Sequence, residues 1–167
     1  MEIAYMLLDG QDPHDTALLL LQKLYKNPLP EIRRTKRGKP YFADSPLHFS
    51  ISHTKKHVFC VLSDRPIGID AEEADRDIRL ALAEKILSPT EFSQFQQAED
   101  KRLALLRFWV LKEAAAKCSG EGLRGYPNHT NFSLNDPRIR EMDGCLVDII
   151  ESEQYGEALC CLIPTPI

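Results

Sequence analysis

Long apolar runs are missing from the 167-residue chain, and no stretch approaches the ~20 residues that cross a bilayer. The apolar N-terminal segment Ile3 to Leu8 is too short for a signal-peptide core, and acids flank it at Glu2 and Asp9. The expectation is a cytoplasmic protein with no membrane partner. Paired cysteines are also missing. The five present (Cys60, Cys118, Cys145, Cys160 and Cys161) are odd in number and contain no C-x-x-C, which argues against a disulfide framework and a zinc site. Most sit among apolar neighbours, as buried free thiols do. An excess of positive charge is absent too: 21 Lys and Arg against 25 Asp and Glu give a net charge of -4, unlike a dedicated nucleic-acid binder. No G-x-x-x-x-G-K-[ST] occurs, which excludes the phosphate loop of an ordinary nucleotide hydrolase. What is present, 43% hydrophobic and 28% charged residues, suits a globular chain of one domain or two small halves.

Local patterns predict alternating elements. Ile3 to Leu8 reads as a strand, and Asp12-Pro13 opens a helix through Ala17 to Tyr25 that Pro28 and Pro30 stop. His48 to Ser52, Val58 to Ser63 and Ile67 to Asp70 read as strands. Helical periodicity covers Ile78 to Leu87, Ser88-Pro89-Thr90-Glu91 caps a further helix, and the longest helix runs from about Asp100 to Lys117 before Gly120. The stretch from His129 to Ile163 is rich in strand formers. Phe49-Ser50-Ile51-Ser52 is echoed by Phe132-Ser133-Leu134-Asn135 about half a chain later, which would fit a duplication.

Four groups of residues could do chemistry. Asp70 and Glu72, two apart at a strand end, project to one side, where a hard divalent cation would relieve their repulsion; an ordinary acidic strand end is the alternative. Glu113 and Lys117 lie one helical turn apart in the order of an ion pair, yet Ala114, Ala115 and Ala116 beside them leave room for a ligand. Ser52-His53 at a strand end could meet a phosphate, although a surface histidine without a task is equally compatible. Arg33 to Lys39 carries five positive side chains in seven residues, a solvated loop or a seat for a compact polyanion.

In order, Gly38-Lys39-Pro40, Phe49-Ser50-Ile51-Ser52-His53, Gly68-Ile69-Asp70-Ala71-Glu72 and Phe108-Trp109-Val110-Leu111-Lys112-Glu113-Ala114 with Lys117 and Gly122-Leu123 resemble the 4'-phosphopantetheinyl transferases, over about half the chain. The mid-chain position of Gly-Ile-Asp resembles the longer, surfactin-synthetase-activating type. The resemblance implies an α+β fold with a pseudo-twofold duplication, halves at residues 1–87 and 88–167, and an active site in the cleft between them. It also implies a monomeric enzyme that transfers the 4'-phosphopantetheine arm of coenzyme A to a serine of an apo acyl or peptidyl carrier protein, with Mg²⁺ as cofactor. Adenosine 3',5'-bisphosphate would be the other product.

By the same resemblance Asp70, Glu72 and Glu113 would hold the metal, and Asp70, Glu113 and Lys117 would be the catalytic residues. Lys39, Ser52, His53, Lys112 and Lys117 would meet coenzyme A. Arg33 and Arg37, with Arg34 and Lys36, would replace the family's N-terminal basic contacts to the 3'-phosphate of coenzyme A, of which the short stretch before Gly38 holds no recognisable copy. The proton acceptor for the attacking serine is either Glu113 or a water on the metal. The carrier would dock near Arg76, Arg79 and Lys85, with Ile78, Leu82 and Ile86 as apolar contacts. A non-catalytic coenzyme A or nucleotide-binding module is the alternative function, and a nucleic-acid binder using Arg33 to Lys39 a third.

Overall fold

The computed structural model describes residues 1–122, 131–135, 140–142, 144–152, 158–159 and 165–166. Among the described residues, ten strands and four α-helices form four layers, helix, sheet, sheet, helix, an α+β architecture. β1 (Glu2–Leu7), β4 (His48–His53), β5 (His57–Ser63) and β10 (Thr165–Pro166) make the first sheet, in the order β10-β1-β5-β4. β6 (Ile67–Glu73), β7 (Arg140–Met142), β8 (Cys145–Ser152) and β9 (Ala158–Leu159) make the second, in which β8 lies between β6 and β7 and also pairs with β9. β2 (Ile32–Arg34) and β3 (Pro40–Phe42) form a separate hairpin.

The burial pattern follows from strand alternation. Every residue of β5 is buried, as in a strand covered on both faces. Val58, Cys60 and Leu62 pack with Leu20, Leu21 and Leu24 of α1 (Pro13–Tyr25), while Phe59 and Val61 face the second sheet. From β6, Ile67, Ile69 and Ala71 return that contact, with Val147 and Ile149 of β8 beside them. The far face of the second sheet, through Leu146 and Ile150, packs on α4 (Lys101–Ser119).

Helix ends obey their local signals. Asp12 Oδ1 accepts from the amides of His14 and Asp15 at 2.8 and 3.0 Å, with Pro13 in the first turn. Ser88 and Glu91 close a reciprocal capping box on α3 (Pro89–Gln97). Asp100 caps α4, and Gly120, at φ 74°, ends it in the left-handed region.

One element changes. The periodic stretch Ile78 to Leu87 is not one helix but a 3₁₀ turn, Leu80–Leu82, followed by the single-turn α2 (Ala83–Ile86). Neither has a side-chain N-cap, and the extended Leu87 before Ser88 cuts the run short. The division at residue 87 does not follow sheet membership: β6 lies in the first 87 residues but pairs with β8 along its whole length, and β10 returns to β1. Phe49 to Ser52 lie inside β4, whereas Phe132 to Asn135 are not in a strand. Cys60, Cys118 and Cys145 are buried as expected; Cys160, Cys161 and Leu123 fall outside the described residues. No helix among the described residues is long and apolar enough to cross a membrane.

Candidate active site

The site forms where α4 lies against β6. Gly68, Asp70 and Glu72 occupy the helix-facing side of that strand, because Ile67, Ile69 and Ala71 take the other. A side chain at Gly68 would collide with the Ala114 carbonyl and the Cys118 amide. Glycine there lets the helix approach closely, and the approach brings Glu113 and Lys117 to Asp70. β4 lies along β6 through two buried serines, Ser50 Oγ accepting from the Ile69 amide at 3.2 Å and Ser52 Oγ from the Ala71 amide at 3.1 Å.

Asp70, 4% exposed, sits at the centre. Its Oδ1 accepts from Ser52 Oγ at 2.9 Å and from Lys117 Nζ at 2.7 Å. Lys117 also donates to Ser52 Oγ at 3.0 Å, so hydroxyl, ammonium and carboxylate form one closed triangle. Oδ2 of Asp70 is buried with no hydrogen-bond partner among the described residues. Nearby, Glu72 Oε1 accepts from Trp109 Nε1 at 3.2 Å and from the Arg76 guanidinium, which stacks over the Trp109 ring 5.8 Å from its centre. Burial raises the Glu113 carboxyl above its ordinary range, and the charge of Asp70 adds to the effect while Lys117 opposes it. Glu72 is raised for the same two reasons, against Arg76, Trp109 and Lys117.

The three expected metal ligands are thus within electrostatic reach of one another. Among the described residues, however, no three acid, histidine or cysteine side chains are grouped as a finished ligand set. Instead, cations of the chain itself take up the carboxylates: Lys117 on Asp70, Arg76 on Glu72. The donor chemistry nonetheless fits a hard divalent ion, since Asp70 has a buried carboxylate oxygen unpartnered among the described residues and its charge resists the ionisation of both Glu72 and Glu113.

A cleft of about 240 Å³ opens beside this cluster, lined by Glu113 and Lys117 and, on the hairpin side, by Arg37, Gly38, Lys39 and Pro40. The Lys39 ammonium donates to the Cys118 carbonyl at 2.5 Å, tying the hairpin to the last turn of α4, and burial lowers its pKa. Arg37 reaches Glu121 at 3.5 Å.

Other expected residues stand elsewhere. Arg33 lies on β2, forked onto Glu31 by two hydrogen bonds of 3.0 and 2.8 Å, and does not line the cleft. His53, at the exposed end of β4, does not line it either. Lys112 is a correction. It is fully buried, its Nζ 2.8 Å from Glu91 Oε2, with the Phe132 ring 5.8 Å away, so the expected contact with coenzyme A has no route to solvent. The apolar contacts expected at Ile78 and Ile86 are likewise packed into the core, and Leu80 is the exposed apolar side chain of that segment. Sequence reading also missed Asp148. It lies directly opposite Asp70 in the β6–β8 register, which puts another fully buried carboxyl on the same sheet face.

Known proteins carry the same arrangement of sequence. The chain is 31% identical over 137 residues to a 4'-phosphopantetheinyl transferase of Bacillus subtilis, covering 76% of this chain and 61% of that protein. It is 36% identical over 89 residues to 4'-phosphopantetheinyl transferase Sfp of Bacillus subtilis (strain 168), covering 52% and 39%. It is 33% identical over 109 residues to 4'-phosphopantetheinyl transferase psf-1 of Bacillus pumilus, covering 62% and 46%. The chain thus spans about half the length of the curated relatives it matches. Residues 66–156, which include the β6 acids and all of α4, match a sequence family as a block, and by that match the chain belongs to the 4'-phosphopantetheinyl transferase superfamily.

Proposed function

We propose that the chain transfers the 4'-phosphopantetheine arm of coenzyme A to a serine hydroxyl of an apo acyl or peptidyl carrier protein, releasing adenosine 3',5'-bisphosphate. The observation that carries this reading is the unpartnered, buried Asp70 Oδ2, set among Glu72 and Glu113 at the edge of a cleft that Arg37, Lys39 and Lys117 make cationic. Asp70, Glu72 and Glu113 would hold Mg²⁺. When bound, Mg²⁺ supplies charge neutralisation at the attacked phosphorus and the leaving phosphate.

The chain's own residues supply the rest. Lys117 keeps part of its surface open to the cleft while Ser52 and Asp70 fix its direction, so its ammonium is aimed before a phosphate arrives. Arg37 and Lys39 add positive charge along the opposite wall. Glu113 would accept the serine proton, directly or through a water, as the new oxygen–phosphorus bond forms and the bond to the adenosine phosphate breaks. The exposed Arg79 and Lys85, with Leu80 between them in sequence, would receive an acidic face of the carrier. Because one chain supplies every residue of the cluster, the working unit would be a monomer, and coenzyme A and a carrier protein as substrates would suit the cytoplasm.

Incubation with coenzyme A, Mg²⁺ and an apo carrier protein tests the proposal. The expected result is a carrier heavier by one phosphopantetheine arm, lost in the Glu113→Gln variant. If no carrier gains mass while coenzyme A still binds, the non-catalytic binding module becomes the better reading.

A further inference from the structure

Resting on that reading of the carboxylate cluster, we infer that Arg76 is the cluster's built-in counter-cation, which holds Glu72 in the metal-free protein and competes with the divalent ion for it. The geometry is asymmetric. Both donors to Glu72, the Arg76 guanidinium and the Trp109 indole, fall on Oε1, and among the described residues no donor to Oε2 is found. Arg76 is itself fixed from behind, its charge stacked over the Trp109 ring at 5.8 Å.

Arg76 follows the end of β6, outside the core, with its side chain 40% exposed. Its charge acts on Glu113 as well as on Glu72. With Lys117 on Asp70, the chain therefore carries two fixed positive charges against three carboxylates. A bare cation arriving at such a site gains little, because the attraction it would feel is already largely satisfied. Arg76 is thus a positioning residue acting through Glu72, and it lowers the affinity for free metal.

Trp109 is the only tryptophan of the chain, so its fluorescence reports on this contact directly. The experiment is a Mn²⁺ titration of the whole protein without coenzyme A, read by tryptophan fluorescence and by electron paramagnetic resonance of free Mn²⁺. Arg76→Met, which keeps the aliphatic stem, should bind Mn²⁺ about five- to tenfold more tightly than the unaltered protein, the size of one charge interaction near a protein surface. Arg76→Lys, which keeps the charge, should stay within about twofold of it. A thermal melt confirms that both are folded. If both variants bind like the unaltered chain, or Arg76→Met binds more weakly, the counter-cation role is wrong and the metal reading stands. If none of the three binds Mn²⁺, the metal reading fails and this inference falls with it.

Discussion

Helix α4 carries two lysines five residues apart, each paired with a carboxylate at hydrogen-bond distance, and the pairs do different work. Lys112 and Glu91 are both fully buried, and Glu91 is consumed on every side: Oε2 also accepts from the Ser88 amide at 2.8 Å, and Oε1 from the Phe132 amide at 2.9 Å. That pair joins α3, α4 and the segment 131–135. Lys117 and Asp70 are incompletely satisfied, with Asp70 Oδ2 unpartnered and the Lys117 side chain 32% exposed. A closed network specifies structure, whereas an open one at the edge of a cleft leaves valence for a ligand.

The sharpest way to break this contrast is to remove one cation at a time. Lys112→Met leaves Glu91 buried without its cation and should lower the unfolding free energy by about 3–5 kcal/mol in a urea titration. The double variant Lys112→Met with Glu91→Leu should recover much of that loss, since an apolar replacement of both partners leaves no orphan charge. If Lys112→Met is as stable as the parent and fails only in coenzyme A binding, Lys112 belongs to the site after all.

Lys117→Ala should do the reverse. Its unfolding free energy should fall less than that of Lys112→Met, because the ammonium is partly exposed and only the Asp70 carboxylate is buried. Transfer to a carrier protein should fall by about 10²–10³-fold, the cost of losing one positioned charge at a reacting phosphate. A Lys117→Ala protein that unfolds would erase the distinction between the two lysines.

Glu113→Gln sharpens the comparison through pH. The folded chain raises this carboxyl above its ordinary value, first by burial and then by Asp70. Its favourable contribution is therefore present below the ordinary carboxylate value and is lost as pH rises through the folded-state value. With chelator present at neutral pH, Glu113→Gln should raise the melting temperature by about 2–4 °C, equivalent to about 1 kcal/mol in a chain this size. The gain should vanish at about pH 3, well below the ordinary Glu value, where the parent carboxyl is protonated in both states. A gain that is the same at both pH values would assign the effect to packing.

Much of this was legible in the sequence because it is local. The caps at Asp12, Ser88 and Asp100 and the alternation in β5 follow from neighbouring residues alone. Asp70 and Glu72 share a strand face by local spacing, whereas adding Glu113 to them came from motif order. The Lys112 error was avoidable: Glu113 and Lys117 are one turn apart and share a helix face, whereas Lys112 and Lys117, five apart, cannot both point into one cleft. Other features were out of reach. Glu91 shows its capping role locally, but its grip on Lys112 depends on how α3 packs on α4. Asp148 falls in a stretch read as strand, yet only the β6–β8 register sets it opposite Asp70.

The smallest expected effect separates two arginines of the basic hairpin that composition could not rank. Arg33 is exposed and already forked onto Glu31, which lies two residues before it, so its charge is locally answered. Arg37 lines the cleft and has only a longer, exposed contact with Glu121. Exposed pairs of both kinds contribute at most about 1 kcal/mol to folding, so neither alanine variant should shift the melting temperature measurably. In calorimetric titration with coenzyme A, Arg33→Ala should bind within about twofold of the parent, and Arg37→Ala about five- to tenfold more weakly, the size of one charge–phosphate contact. Equal losses would mean that the hairpin acts as a diffuse positive field, and that the cleft wall does not single out Arg37.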